Sequence, residues 1–458
     1  MRILIAIICT ILLIGCTHSG GAEEENTTFI YPPWKHTWGV VRATPLKLRL
    51  FVGDKTHFND PQGIACARLK SWDDTTDTYD DDEITAYGVN SGDNCIIYNS
   101  SMFSLGIYGL EKGQREFNKP WGIAADSKGN VYVTDRGNSR VVRLFNPGKQ
   151  LQFVSNIGSA GHEPGEFIDP RGIALDPGGN VYITDAALDR ITVLSDSGSV
   201  IFIKDGFIEP FAIAVIGENE EWTYNPNETF IVVLDSTQRI RKLSLKGDII
   251  AETRAVDWGI SNAQLNWIAL DYYNQLLITD RNNGCIHKLD SDLDYLTSFG
   301  KSGNGDYQFD EPRGISIYRR FGQIIVAERL GAQYLWVAVD VSGFRAFVKT
   351  DSIWRDLAID FFLTEPAFCK FDVLDKYGRF ITRITQSRRL KSGENHLEWD
   401  LRVPLNQPDD QRNNLPDEYI PGQLLPSGEY TIQAEFRATY SSRKHWERKL
   451  ETKFRLSR

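Results

Sequence analysis

Pro120-Trp121-Gly122-Ile123-Ala124, followed by Asp126, the turn pair Gly129-Asn130, Val131-Tyr132-Val133-Thr134-Asp135 and Arg140-Val141-Val142-Arg143-Leu144, is a stretch of this chain that returns. It comes back as Pro170-Arg171-Gly172-Ile173-Ala174, Asp176, Gly179-Asn180, Val181-Tyr182-Ile183-Thr184-Asp185 and Arg190-Ile191-Thr192-Val193-Leu194. Weaker copies start at Pro61-Gln62-Gly63-Ile64-Ala65, Pro210-Phe211-Ala212-Ile213-Ala214, Asn266-Trp267-Ile268-Ala269 and Pro312-Arg313-Gly314-Ile315-Ser316, which makes six. Internal repetition of this length is the signature of a modular architecture. Within each copy, short β-branched runs alternate with Gly, Asn and Asp turns, the pattern of successive short strands.

A lone four-stranded sheet cannot bury both of its faces, whereas sheets packed radially around an axis bury them and leave only short edges. The Pro-x-Gly-Ile-Ala start, the Gly-Asn-Val-Tyr-Val-Thr-Asp middle and the following Arg-Val resemble NHL repeats. That resemblance implies an all-β chain: a six-bladed β-propeller of the NHL/TolB-like kind over residues 36–341, strongest in the second and third copies. The last copy has strands near Gly314 to Tyr318, Gln323 to Glu328 and Tyr334 to Asp340 but no fourth. The alternating run Leu46-Lys47-Leu48-Arg49-Leu50-Phe51-Val52-Gly53 is expected to supply it, closing the ring with an N-terminal strand.

At the N-terminus, Met1 and Arg2 precede an apolar run from Ile3 to Ile14, too short to span a bilayer and of the form of an export signal. Leu13-Ile14-Gly15-Cys16 resembles the cleavage motif of bacterial lipoproteins. It implies a signal peptide over residues 1–15, a lipidated Cys16, a flexible tether over 16–35 and an envelope location. The absence of Asp after Cys16 (Thr17 and His18 stand there) favours the outer membrane, and the lipid is the expected membrane contact. Beyond the repeats, longer alternating strands over 344–458 read as a β-sandwich. Val373-Leu374-Asp375-Lys376-Tyr377-Gly378-Arg379, Gly393-Glu394-Asn395-His396-Leu397-Glu398-Trp399-Asp400 and Leu425-Pro426-Ser427-Gly428-Glu429-Tyr430 resemble the immunoglobulin-like domain of the FlgD family, a spacer or attachment module. A polar insertion over 402–422 departs from that family's compact form.

In a propeller, the residue before each Gly-Ile-Ala faces the mouth of the central channel. Those residues are Gln62, Trp121, Arg171, Phe211, Asn266 and Arg313. The turns between second and third strands open on the same side and bring Arg136, Arg281 and Arg329 beside the acids Asp135, Asp280 and Glu328. Aromatic faces with guanidinium forks suit a glycan, a peptide carboxylate or a protein partner. The same arginines would equally serve to bridge neighbouring blades. On the opposite side, the first copy inserts an acidic loop from Asp73 to Glu83, read as a solvated charge run, with Ca²⁺ as the lesser alternative because the spacing does not match a helix-loop-helix calcium loop.

A propeller enzyme (lyase, lactonase or hydrolase) is the rival class. Its metal would need ligands at repeated channel positions, but His57, His162 and His287 fall at different phases of the repeat, so no metal or cofactor is expected. The net charge of −10 argues against a general nucleic-acid binder. Four cysteines remain beyond Cys9 and Cys16, and Cys66 and Cys95, assigned to the first and second strands of the first copy, are expected to form a disulfide.

Overall fold

The computed structural model describes residues 26–37, 39–70, 84–101, 104–110, 116–349, 356–403 and 419–457. Cys16 and the acidic loop from Asp73 to Glu83 lie outside them, as does most of the polar insertion. Six antiparallel sheets follow one another around an axis, each running outward from strand a. Blade one comprises Pro61–Arg68, Ile84–Asn90, Cys95–Ser101 and Ser104–Tyr108; blade two Pro120–Ala125, Asn130–Asp135, Arg140–Phe145 and Gln152–Ile157. Blades three, four and five begin at Pro170–Leu175, Ala212–Ile216 and Leu265–Leu270, and blade six at Ile315–Tyr318. The apolar residues of one blade's inner strands pack against those of the next, as Tyr87, Val89 and Ile96 do with Ile123, Val131 and Val142. Each sheet therefore buries both faces.

The repeat residues have local reasons. Strand a carries a bulge between its Pro and its Ile in blades one, two and three. In blade two, Gly122 N–H donates to Thr134 Oγ1 at 2.7 Å, and the same hydroxyl donates to the Arg171 carbonyl of blade three at 2.6 Å. The threonine of the Thr-Asp pair thus fills its own bulge and grips the next blade. Glycine is required beside it: a Cβ on Gly122 would stand 2.3 Å from the Arg171 carbonyl oxygen. The aspartate that follows is fully buried and organises the loops around it. Asp135 accepts from Asn118 N–H at 2.7 Å and from Arg140 Nε at 2.8 Å.

The N-terminal part of the chain closes the ring, as expected, but through other residues than the run over 46–53. Blade six ends at Gly331–Val337, and its outer edge is covered by two short N-terminal strands, Phe29–Ile30 and Arg42–Ala43, both antiparallel to it. The run over 46–53 is instead the helix Pro45–Val52. Thr44 caps it, its side chain accepting from Lys47 N–H, Pro45 takes the first turn, and Gly53 ends it with φ of 68°. This is the chemistry of helix ends, and it outweighs an alternating pattern of which Leu48 and Val52 are buried while Leu46 and Leu50 face solvent.

The disulfide is also a correction. Strand b of blade one is Ile84–Asn90, so Cys66 pairs with Ala86 while Cys95 opens strand c opposite Asn90. A whole strand separates the two cysteines, and both are free thiols.

After Val337 the chain enters a sandwich of two sheets. One contains Val341–Val348, Leu357–Leu363 and Gly393–Trp399; the other runs Phe380–Leu390, Ala367–Asp375, Gly428–Ala438 and Arg448–Leu456. Phe361, Phe371 and Phe436 meet in its core at centroid distances of 5.5 to 5.8 Å. Tyr430 Oη donates to the Pro426 carbonyl at 2.6 Å, pinning the start of its strand.

Candidate functional site

Pairing of Pro120 with Asp135 and of Asp135 with Arg140 puts the start of strand a, the end of b and the start of c on one face of the ring. The residues expected at the channel mouth therefore share that face. They do not form one open funnel. Gln62, Asn266 and Arg313 are only 3, 7 and 6 % exposed, and Phe211 is 9 % exposed. Gln62 donates to Asp60, Asn266 donates to the Arg313 carbonyl, and Arg313 donates to the Asp60 carboxylate and, at 3.0 Å, to the Pro61 carbonyl. Arg313 thus ties blade six to blade one as an internal clasp.

The turn arginines are paired as well. Arg281 donates to Glu311 at 3.0 Å, from blade five to the lead-in of blade six. Arg329 grips Asp310 with two donors at 3.2 and 3.0 Å. Arg136 reaches from blade two to Asp169 in the lead-in of blade three, also with two donors, at 2.7 and 3.0 Å. The acids that receive these bonds were absent from the sequence-based site. Their signal was there: Asp60, Asp169 and Glu311 each stand directly before the proline that opens a blade. Asp60 and Glu311 take left-handed backbone, with φ of 51° and 49°. Lys119 and Glu209, which precede Pro120 and Pro210, take it too, with φ of 51° and 46°, so the conformation, disfavoured before proline, belongs to the blade entry and not to the ion pairs.

One cluster departs from this neutrality. Asp169 receives Arg136 and also Arg171, the latter at 2.8 and 3.0 Å, so two guanidinium groups share one carboxylate. Both lie over the ring of Trp121, 5.0 and 5.7 Å from its centroid. Trp121 is partly exposed, and its indole N–H has no hydrogen-bond partner. An aromatic face with surplus positive charge results, suited to a planar or anionic group.

The channel offers different chemistry. Strand a of every blade lines a cavity of about 150 Å³ toward the other face, with Ala65, Ala124, Ala174, Ala214, Ala269 and Ser316 at equivalent positions. Of its lining side chains only Cys66, Trp267, Ser316 and Arg319 carry a hydrogen-bonding group. Arg319 is engaged by the Leu270 and Val215 carbonyls and by Glu220. Cys66 Sγ lies 3.2 Å from Ser316 Oγ, and burial pushes its thiol up to about 11, so it is no thiolate at neutral pH. Among the described residues that line it there is no carboxylate or imidazole.

The sandwich docks on the face opposite the mouth. Tyr440 packs on Tyr272 and Tyr273 between the first two strands of blade five, and a Cβ on Gly322 of blade six would meet the Tyr440 ring at 2.7 Å. Tyr273 Oη donates to Thr439 at 2.7 Å, and Gln275 donates to Ser392 at 2.7 Å. The described contacts of the sandwich lie on that face and not at the mouth with Trp121.

Fold and site together define a six-bladed propeller carrying an NHL repeat, followed by an immunoglobulin-like β-sandwich. The NHL repeat model matches residues 117–144, within blade two and its lead-in. No curated protein matches the chain. Among solved structures it is similar to virginiamycin B lyase from Staphylococcus aureus, at 15 % identity over 62 % of this chain and 95 % of that one with a TM-score of 0.40. A putative gluconolactonase is similar at 12 % over 64 % and 97 %, TM-score 0.43, and a protein of unknown function from Bacteroides thetaiotaomicron at 16 % over 61 % and 70 %, TM-score 0.46. Identities this low say nothing of this chain's chemistry.

Proposed function

We propose that this chain is a non-catalytic binding or scaffold protein of the cell envelope, anchored through a lipid on Cys16, whose propeller mouth recognises an anionic glycan, a peptide carboxylate or a protein partner. The observation that carries this reading is the Trp121 cluster: a partly exposed indole face with two guanidinium groups sharing the single carboxylate of Asp169. The sandwich, on this reading a FlgD-like spacer, leaves that face free, as a tether and spacer arrangement requires. The outer membrane is the proposed location, on the residues after Cys16.

A purely structural envelope component is the second reading, favoured by the ion pairs that consume Arg281, Arg313 and Arg329. Glycan and peptide arrays probed with the purified chain separate the two. Arg171→Ala is expected to weaken the captured ligand by about 1 to 3 kcal/mol, roughly 5- to 150-fold, with thermal stability nearly unchanged, and Trp121→Ala, whose ring also packs against the core, to weaken it similarly while lowering thermal stability. A ligand held with full affinity by both variants would place recognition on another surface. Arrays on which nothing binds would favour the structural reading.

A further inference from the structure

Strand b of each complete blade ends next to the first residue of strand c, and the pair has a recurrent composition. Asp135 faces Arg140, Asp185 faces Arg190, and Asp235 is followed by Arg239 at the same place. In blades two and four the arginine returns to the acid, at 2.8 and 3.0 Å. Blade five keeps the acid, Asp280, but faces it with Cys285, and two residues further along strand c it places His287 where blade two has Val142. The arginine has been exchanged for a thiol and an imidazole.

These three side chains converge. Asp280 Oδ2 lies 3.0 Å from His287 Nε2, and Cys285 Sγ lies 3.8 Å from the same nitrogen. One donor atom from each residue falls within 4.8 Å of the others, and all three residues are buried. Ligands held about 2.0 to 2.3 Å from a tetrahedral ion stand roughly 3.3 to 3.6 Å apart, so small adjustments bring this set to a common centre. The outer contacts are those of a built site. Asp280 Oδ1 accepts the backbone N–H groups of Gln264 and Asn282 at 3.0 Å each, and Asn283 Nδ2 donates to Oδ2 at 2.6 Å. His287 Nδ1 is 2.7 Å from Ser298 Oγ, which is itself 2.6 Å from Tyr295 Oη. Trp258 closes over the imidazole edge-on, at 5.8 Å. His287 Nε2 stands at hydrogen-bond distance from Asp280 Oδ2 and Nδ1 from Ser298 Oγ, so a cation at Nε2 would take the place of the proton between imidazole and carboxylate while Nδ1–H donates to Ser298.

We infer that Asp280, Cys285 and His287 bind a thiophilic divalent cation of the zinc class, which pins strands b and c of blade five where blades two and four use an arginine. Binding releases the Cys285 thiol proton to solvent, together with any proton shared between His287 and Asp280. Three protein ligands leave the fourth position to water or a small anion. Blade one supplies an internal control. Cys95 occupies the same register, but it faces Asn90, and Ile97 stands where blade five has His287.

The test uses the purified full chain, stripped with a chelator and titrated with Co²⁺ and then Zn²⁺. The expected result is one Co²⁺ per chain with a thiolate-to-cobalt charge-transfer band in the near ultraviolet, displaced by Zn²⁺, and a higher thermal midpoint with Zn²⁺ than without. Cys285→Ser, nearly isosteric and expected to fold, should abolish the band and weaken Zn²⁺ binding at least tenfold, while Cys95→Ser leaves both intact. His287→Gln should weaken Zn²⁺ binding while circular dichroism shows the propeller still folded. Absence of the band in the wild-type chain, or a band that survives Cys285→Ser, would overturn the site and leave a proton between Asp280 and His287.

Discussion

Arg313 shows at the scale of one residue how position and surroundings part company. By sequence it stands at the channel mouth, where a guanidinium would meet a ligand. In the fold its side chain is 8 % exposed and committed to the Asp60 carboxylate and the Pro61 carbonyl across the closure between blades six and one. Arg313→Ala would leave the Pro61 carbonyl without this donor and remove the ion pair to Asp60, which keeps Gln62. The expected cost is about 1 to 3 kcal/mol in urea unfolding. Arg171→Ala, whose carboxylate Asp169 keeps Arg136, should cost under about 1 kcal/mol. Equal destabilisation by the two would contradict the division between clasp and recognition surface. The acids Asp60, Asp169 and Glu311 before their prolines were legible in the chain. Which arginine each would meet was not, because the partners belong to neighbouring blades.

Among the elements, the N-terminal strap and the helix behind it exchange roles relative to the sequence pattern. Phe29, 1 % exposed, packs edge-on against Phe299 at 5.0 Å, and its backbone continues the sheet of blade six opposite Val337. Leu50 on the helix is 76 % exposed. Phe29→Ala is therefore expected to destabilise the chain by about 3 to 5 kcal/mol, while Leu50→Ala should stay within about 0.5 kcal/mol. Chemical denaturation of both variants checks the closure directly, since a closing strand over 46–53 would predict the reverse order. The strap escaped detection because two-residue strands carry no period to read. The helix was misread because Leu46, Leu48, Leu50 and Val52 alternate as strand residues do, while the deciding signals sat at its ends, in Thr44-Pro45 and Gly53.

On the scale of the whole molecule, a fully buried cation joins the two modules. Lys288 in strand c of blade five contacts the Glu365 carboxylate of the sandwich and lies 3.7 Å from Asp271, with all three side chains inaccessible. Breaking such a cluster from one side leaves uncompensated buried charge. Lys288→Met should cost about 3 to 5 kcal/mol. It should also split a single calorimetric unfolding transition into two, one for each module, because the tyrosine contacts around Tyr440 are then left to hold the interface. A variant that still unfolds in one transition at the wild-type midpoint would show that the charges contribute nothing to docking.

The chain by itself determined the number of blades, the alternation that makes five of them four-stranded sheets, and the sandwich that follows, because these depend on local periods and on turn residues repeated in register. It also determined which residues sit before each glycine, and so which candidates face the mouth. Only the tertiary structure decided which candidates remain available: Gln62, Asn266 and Arg313 are buried between blades, while Trp121, Arg136 and Arg171 stay partly exposed. It likewise separated Cys66 from Cys95 by an intervening strand, brought Asp280, Cys285 and His287 to one point, and set the sandwich on the side away from the mouth. The physical reason is common to all of these: periodicity constrains a residue relative to its own strand, whereas burial, pairing and ligand geometry depend on strands and blades that approach only when the ring closes.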